Sequence, residues 1–319
     1  MKKSLIALAA LAFVGAAAAQ SSVTLYGVAD IWVGKFKEET TPAGAIVKGE
    51  VRAGSGGVAS SRWGIKGSED LGGGLKANFN FEQGVDLVNG AAAGFTRQAN
   101  VGFSGGFGTL KAGKTWTPFD DIYGSANSGF DSALSANRVW LNDYQYTGNP
   151  TAQIYYATPE IAGFSAAFGT QLKGNATPAT TAAANKSLHV KYAAGPIYAG
   201  IAYEDSATQK ATLLNGSYDL GMAKVVGSYF TTKLDNNAGK INSYQIGADV
   251  PLSSALTLSV GYASSKPSNG SADSAFSIAG AYSLSKRTLI YTGYRAESRK
   301  ASNGKADGDL FAVGVNHSF

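Results

Sequence analysis

Few residue types in this chain could carry covalent or metal chemistry. It has two histidines and no cysteine among 319 residues. The lack of cysteine excludes disulfide staples, thiolate metal sites and thiol nucleophiles together. His189 and His317 each stand without a second histidine at metal-ligand spacing, so the sequence offers no zinc site. No motif sets a nucleophile, a base and an orienting group within reach of one another, as covalent catalysis needs. No cofactor and no enzymatic reaction are expected. What remains is charge, placed at alternate positions among apolar residues. Arg62 and Lys66 flank Trp63 and Ile65, and Lys76, Asn78, Asn80 and Glu82 interleave with Ala77, Phe79 and Phe81. Groups spaced in this way line one wetted face, and their chemistry is electrostatic: attracting, orienting or repelling small solutes.

Such a face requires strands. Leu256, Leu258, Val260 and Tyr262 alternate with Thr257, Ser259, Gly261 and Ala263, and Tyr244, Ile246, Ala248 and Val250 with Gln245, Gly247 and Asp249. Val23, Leu25, Gly27, Ala29 and Ile31 likewise alternate with Thr24, Tyr26, Val28 and Asp30. Period two marks strands with one apolar and one polar face, and helical periodicity holds over no useful length. Charged residues make up 15%, against about 25% in ordinary soluble chains, while glycine contributes 41 residues. Tyr 16, Phe 15 and Trp 4 supply more aromatic surface than disordered chains carry.

Residues 1–19 read as a secretory signal: Lys2 and Lys3, an apolar core from Leu5 to Val14, then Ala17, Ala18 and Ala19. The apolar run is too short for a spanning helix, which needs about 20 residues. Cleavage before Gln20 leaves 300 residues with 25 basic and 22 acidic side chains, too balanced to suggest nucleic-acid binding. No later run reaches helix-spanning length, so a membrane-embedded chain must be a closed barrel. Short turn signals begin at Asp70, Gly105, Pro159, Ala194, Asp219, Pro251 and Ser283. Longer polar stretches lie between them, at 37–55, 173–186, 234–240 and 298–305. Short turns alternating with long loops is the layout of an outer-membrane barrel. Seven short turns imply eight strand pairs: an all-β, sixteen-stranded antiparallel transmembrane β-barrel over residues 20–319. A barrel of that size encloses an aqueous channel. A soluble sandwich shares the alternation but lacks the asymmetry between turns and loops.

The turn starts at Gly105 and Pro159 lie 54 residues apart, against 25 to 35 elsewhere, so the loop after the fifth strand, 117–150, is oversized. Its Pro118, Phe119, Ile122, Tyr123, Phe130, Trp140 and Leu141 are too apolar for a solvated loop and predict a segment folded into the lumen. Parity places Tyr26, Asp30, Trp32, Tyr155 and His189 on the lumen side, and His317 with Phe319 at the lipid interface. Tyr218, Tyr229, Tyr262, Tyr282 and Phe319 are expected near strand ends, as interfacial girdles. The lumenal aromatics are too scattered for a sugar slide, which weighs against a solute-specific channel. A barrel enzyme and a secreted adhesin are remoter readings.

Several motifs are similar to those of the Gram-negative general porins, in the branch found in β-proteobacteria. They are SVTLYG from Ser22, SRWGIKGSEDLGGGL from Ser61, VGFSGGFGTL from Val101 and the terminal GVNHSF from Gly314. The resemblance covers the whole mature chain. It implies a homotrimer in outer-membrane lipid and lipopolysaccharide, passive diffusion of small hydrophilic solutes and ions, and a third loop folded inward as a constriction. It also implies that the terminal Phe319 is read by the barrel-assembly machinery. The family sets a basic cluster on the wall against acidic residues on the loop. Arg62 and Arg97 match two wall arginines, and Arg138 is the nearest candidate for a third basic position, which in the family lies near the end of the loop or the start of the sixth strand. Asp120, Asp121 and Asp131 are the candidate acidic partners. With Lys66 and Lys76 joining the basic side and Glu82 the acidic side, a weak anion preference is expected.

Overall fold

Alternation along each strand becomes two-sidedness in space. The computed structural model describes residues 21–40, 46–142, 148–175, 185–235, 239–301 and 304–319; the signal at 1–19 lies outside them. The first strands are β1 (Ser22–Phe36), β2 (Glu38–Thr40), β3 (Ile46–Lys48), β4 (Val51–Ser55), β5 (Arg62–Gly72), β6 (Leu75–Gly84), β7 (Gln98–Gly105) and β8 (Gly108–Lys114). After the long loop come β9 (Gln153–Ala157), β10 (Phe164–Gln171), β11 (Lys186–Ala194), β12 (Ile197–Asp205), β13 (Gln209–Asp219) and β14 (Lys224–Leu234). The remainder are β15 (Lys240–Pro251), β16 (Leu256–Pro267), β17 (Asp273–Ser283), β18 (Thr288–Ala301), β19 (Gly304–Asp307) and β20 (Leu310–Ser318).

Two pairs of these strands are single staves with an interruption. β1 pairs with β5 over Ser22 to Val28 and with β4 over Ile31 to Lys35, so β4 and β5 are collinear. β19 and β20 likewise share one line against β18. β2 and β3 form a separate hairpin. Joined in this way, the described strands make sixteen antiparallel staves, and β1 closes the barrel on β20 from Val28↔Ser318 to Phe36↔Leu310. The terminal backbone completes the seam, Gly27 and Phe319 exchanging hydrogen bonds of 3.0 and 3.1 Å.

Large apolar side chains such as Val23, Leu25, Val101, Leu188, Val190, Ile201, Leu214 and Ile246 are exposed around the outer wall. Polar residues such as Asp30, Asn215, Gln245, Ser259 and Ser277 are buried inside. A water-soluble sandwich would invert this arrangement; a barrel in lipid requires it.

Three expectations need correction. Residues 51–55, read as loop, are strand β4, because its residues still ladder onto β1. The long-loop end is not uniformly long: β12 and β13 are joined by three residues, 206–208. Tyr229 and Tyr262 sit mid-stave rather than at strand ends, with Tyr244 opposite Tyr229 and its ring 6.2 Å from that of Tyr262. Tyr218, Tyr282 and Phe319 do lie at strand ends on the exposed face.

Candidate functional site: a narrowed lumen

After β8 the chain turns into the barrel instead of leaving it. A six-residue helix, α1 (Pro118–Tyr123), starts there, with Pro118 in its first turn and the Thr117 side chain accepting from the Asp120 amide. Six residues are too few to print a helical period, which is why none was visible in the sequence. The segment then crosses the inner wall. Phe119 N donates to Ser187 Oγ on β11 (2.8 Å), and Asn215 Nδ2 on β13 donates to Ile122 O (2.5 Å). Gln245 Nε2 on β15 donates to Ala126 O, and Gly129 N donates to Ser259 Oγ on β16 (2.7 Å). Arg295 on β18 donates to Ala133 O.

Apolar anchors fasten both halves of the loop. Phe119, Ile122, Val139 and Trp140 pack with Leu213 and Phe230 of the wall, and Leu134 packs with Trp32, Tyr291 and Leu310. Glycines of the wall make room for this contact. Gly247 and Gly261 face each other across β15 and β16, and a Cβ on either would lie 2.4 and 1.9 Å from the nearest Ser128 atom. Phe130 and Asp131 at the tip both take left-handed backbone (φ 62° and 49°), a conformation that a bulky side chain adopts only under constraint from its surroundings.

The charged residues gather in two groups. On the wall, Glu82 lies between two arginines, with Arg62 Nε 3.3 Å from Oε2 and Arg97 Nε 2.7 Å from Oε1. Tyr26 OH adds a third contact to Glu82 at 3.0 Å. Glu82 therefore sits within the basic cluster and does not face it, and the trio carries one net positive charge. Arg62 Nη1 also donates to Ser60 O (2.8 Å), and the Arg97 guanidinium stands 5.0 Å above the Trp116 ring.

On the loop, Asp120, Asp121, Asp131 and Arg138 border an opening of about 600 Å³ whose other rim is residues 56–60. Tyr155 OH donates to Asp121 Oδ2 (2.6 Å), and Asn127 Nδ2 to Asp131 Oδ1 (2.8 Å). Burial, with repulsion from Asp121, Asp131 and Glu204, pushes the Asp120 carboxyl up to about 8. Burial also raises Asp121 and Asp131, against the hydrogen bonds from Tyr155 and Asn127. Both keep a face on the lumen.

The remaining expected residues lie elsewhere. Lys76 pairs with Asp70 beside a short turn, six residues along β6 from Glu82, or about 20 Å at strand rise. Lys66 sits over the Tyr26 ring (5.0 Å), roughly 7 Å along the barrel from the level of Glu82. Arg138 lies on the loop, where its charge acts on Asp131. Phe319 lays its ring over Gly27 on the outer surface, where a Cβ would come within 2.2 Å of it. His189 faces inward, its Nδ1 2.7 Å from Pro118 O, and exposed His317 meets Thr288 Oγ1 at 2.8 Å.

Two groups of inward charges went unnoticed in the sequence. Arg295 and Arg299 flank buried Glu297 on β18, at 2.7 and 2.5 Å. Alternation continued from Tyr291 would have placed all three inward. Lys111, 4.1 Å over the Tyr155 ring, could have been found from its place between Leu110 and Ala112.

Comparison with known proteins gave consistent matches. A family model described as Gram-negative porin matches residues 5–302. Outer membrane porin protein 32 of Delftia acidovorans is 33% identical, over 91% of this chain and 88% of its own length. An outer membrane porin protein of Bordetella pertussis is 28% identical over the full length of both chains. Among solved structures, an anion-selective porin from Comamonas acidovorans superposes with a TM-score of 0.83 at 26% identity, covering 94% of this chain and all of that one.

Proposed function

The chain belongs to the Gram-negative porin family and is an outer-membrane channel for passive diffusion, and we propose that a net-positive wall cluster opposite partly neutralised loop carboxyls gives it a weak anion preference. The observation that carries this reading is the placement of Glu82 between Arg62 and Arg97, which leaves one uncancelled positive charge on the wall. Across the opening, the raised Asp120 carboxyl favours its neutral form near neutral pH, so the loop opposes that charge with less than its formal acidity. Lys66, farther down the lumen, and Lys76, near the short turns, extend the positive potential toward the periplasmic mouth. Charge in a narrow aqueous gap sets ion preference and orients dipolar solutes, while apolar solutes must displace ordered water. Reversal potentials across planar bilayers in a salt gradient test the sign; a clear cation preference in the unaltered protein would refute it.

The same geometry predicts a pH dependence. A carboxyl raised to about 8 is neutral below that value and becomes negative as pH rises through it. Anion preference should therefore fall on going from about pH 5 to about pH 9, as Asp120 ionises. Asp120→Asn should flatten this fall. A permeability ratio that stays level over the whole range would count against the loop carboxyls.

We further propose that the protein assembles as a homotrimer, that Phe319 is its assembly signal, and that residues 1–19 are removed on export. Support for the trimer comes from the family and from an apolar groove of about 430 Å³ on the outer wall, bordered by Leu25, Trp63, Leu87 and Phe319. Unheated electrophoresis should show a detergent-stable oligomer that heating dissociates. The mass of the mature protein should correspond to a chain starting at Gln20. Deleting Phe319 should lower the yield of assembled protein in the outer membrane far more than total synthesis. Lipopolysaccharide and the barrel-assembly machinery are the surroundings and the partner that this reading implies.

A further inference from the structure

We propose that Asp30 is the positioning residue of the opening between loop and wall, holding residues 56–61 as an inward elbow that rims it and clasps the loop tip. The inference rests on the channel reading and goes beyond it, because it assigns the shape of the opening to a residue that carries none of its free charge.

The elbow exists because the second stave is interrupted. β5 leaves β1 at Arg62↔Val28, and β4 rejoins it at Ser55↔Ile31. Six residues of one stave thus stand opposite only Ala29 and Asp30 of the other. Their amides have lost ladder partners and must find others. Asp30, fully buried on the inward face, supplies them. Its Oδ1 accepts from Gly57 N (2.7 Å) and Tyr291 OH (2.6 Å). Its Oδ2 accepts from Val58 N and Ala59 N (3.0 Å each) and from Asn316 Nδ2 (2.8 Å). Three successive amides converging on one carboxylate form an anion nest, here filled by the chain's own side chain. The backbone of Asp30 serves the same segment: its carbonyl accepts from Gly56 N at 2.8 Å, and its amide and carbonyl both meet Ser61 Oγ. At Gly57 a Cβ would come within 1.8 Å of the Tyr291 oxygen, so the seat fits glycine alone.

From the elbow the constraint passes to the opening by two routes. Gly57 O accepts from Ala133 N at 2.8 Å while Arg295 donates to Ala133 O, so the loop tip is gripped on both sides of one residue. Ser60 O accepts from Arg62 Nη1 at 2.8 Å, which seats the guanidinium of a wall arginine. One buried carboxylate thereby fixes the loop tip and aims one of the two arginines that set the field. Tyr291 and Asn316, from β18 and β20, tie it to the closing seam of the barrel.

Three variants test this: Asp30→Asn, which keeps the volume but turns donors against donors, Asp30→Ala, and Tyr291→Phe, which removes one of five donors. Asp219→Asn is the control, since that carboxylate caps a short turn through Gly221 N (2.8 Å), away from the opening. Single-channel conductance, open-channel noise and reversal potential are read on protein that runs as a folded barrel before heating. Asp30→Asn and Asp30→Ala should raise current variance by about twofold or more over the control, as a released segment samples more positions. They should also weaken the anion preference, because Arg62 loses its seat. Tyr291→Phe should change both in the same direction by less. A folded Asp30→Asn barrel with the noise, conductance and reversal potential of the control overturns the proposal. If neither Asp30 variant folds, the folded Tyr291→Phe barrel decides, and unchanged noise there overturns it equally. Failure of the unaltered protein to give conductance steps would instead sink the channel reading, so the two failures are distinct.

Discussion

Replacing Arg62 and Arg97 together by alanine should carry the channel from anion to cation preference. The wall trio then changes from one net positive charge to one net negative, because Glu82 stays behind. A unit charge acting on an ion about 5 Å away through a water-like dielectric contributes about 0.8 kcal/mol. Salt at about 0.1 M screens charges over about 10 Å and reduces this by nearly half. Each lost positive charge disfavours the anion and favours the cation, so the two effects add in the permeability ratio. With the second arginine somewhat farther from the path, the ratio should move on the order of tenfold, which a reversal potential resolves easily. Adding Glu82→Gln is the discriminating control. The trio then falls only from one positive charge to zero, and the shift should shrink to about threefold. If the double and triple variants give the same ratio, the buried carboxylate between the arginines does not act on the permeating ion, and the wall cluster is structural.

The inward placement of Arg62 was legible in the sequence because side chains alternate along a ladder, whereas Arg97, which precedes β7, came only from the family resemblance. Once Trp63 faces lipid, Arg62 must face the lumen, and the turn signals counted all sixteen staves. The role of Glu82 was not legible, since parity says which face a side chain takes but not what stands beside it on the next strand. Glu82 meets Arg62 across β5 and Arg97 just before β7, neighbours that only the register reveals. Residues 37–55 were read as one polar loop because β4 is short, and the interruption at 56–61 hid its continuity with β5. The same interruption made Asp30 look like one more wetting group of the wall. Its five donors come from positions 27 to 286 residues away, and no local pattern encodes such a meeting. The inward loop was legible through the wide spacing of its flanking turns and its apolar content: Phe119, Ile122 and Trp140 would be costly in water, and an apolar patch on the inner wall receives them.

That patch sets up the largest expected change in pore size. Phe119→Ala combined with Trp140→Ala should release the loop from the wall and leave the barrel standing. The Trp140 ring stacks on Phe230 at 5.9 Å, and Phe119 approaches the same ring at 5.9 Å. Truncating a buried Phe or Trp to Ala typically costs about 3–5 kcal/mol. The hydrogen bonds that would remain, at Ser187, Asn215, Gln245, Ser259 and Arg295, contribute about 0.5–1.5 kcal/mol each. Two truncations therefore outweigh the surviving polar anchors, and the loop should open locally. The stave ladders contain neither residue, so the temperature at which the folded band disappears should stay near that of the unaltered protein. Conductance should rise, larger neutral sugars should pass in liposome swelling, and protease should nick the chain between β8 and β9. The single variants should show intermediate behaviour, because each removes only one of the three rings, Phe119, Tyr123 and Trp140, that pack on Phe230. A double variant with unaltered conductance, exclusion limit and protease resistance would mean that the polar anchors and the tip clasp hold the loop on their own, and the pair of rings would then be filling space rather than fixing the width of the channel.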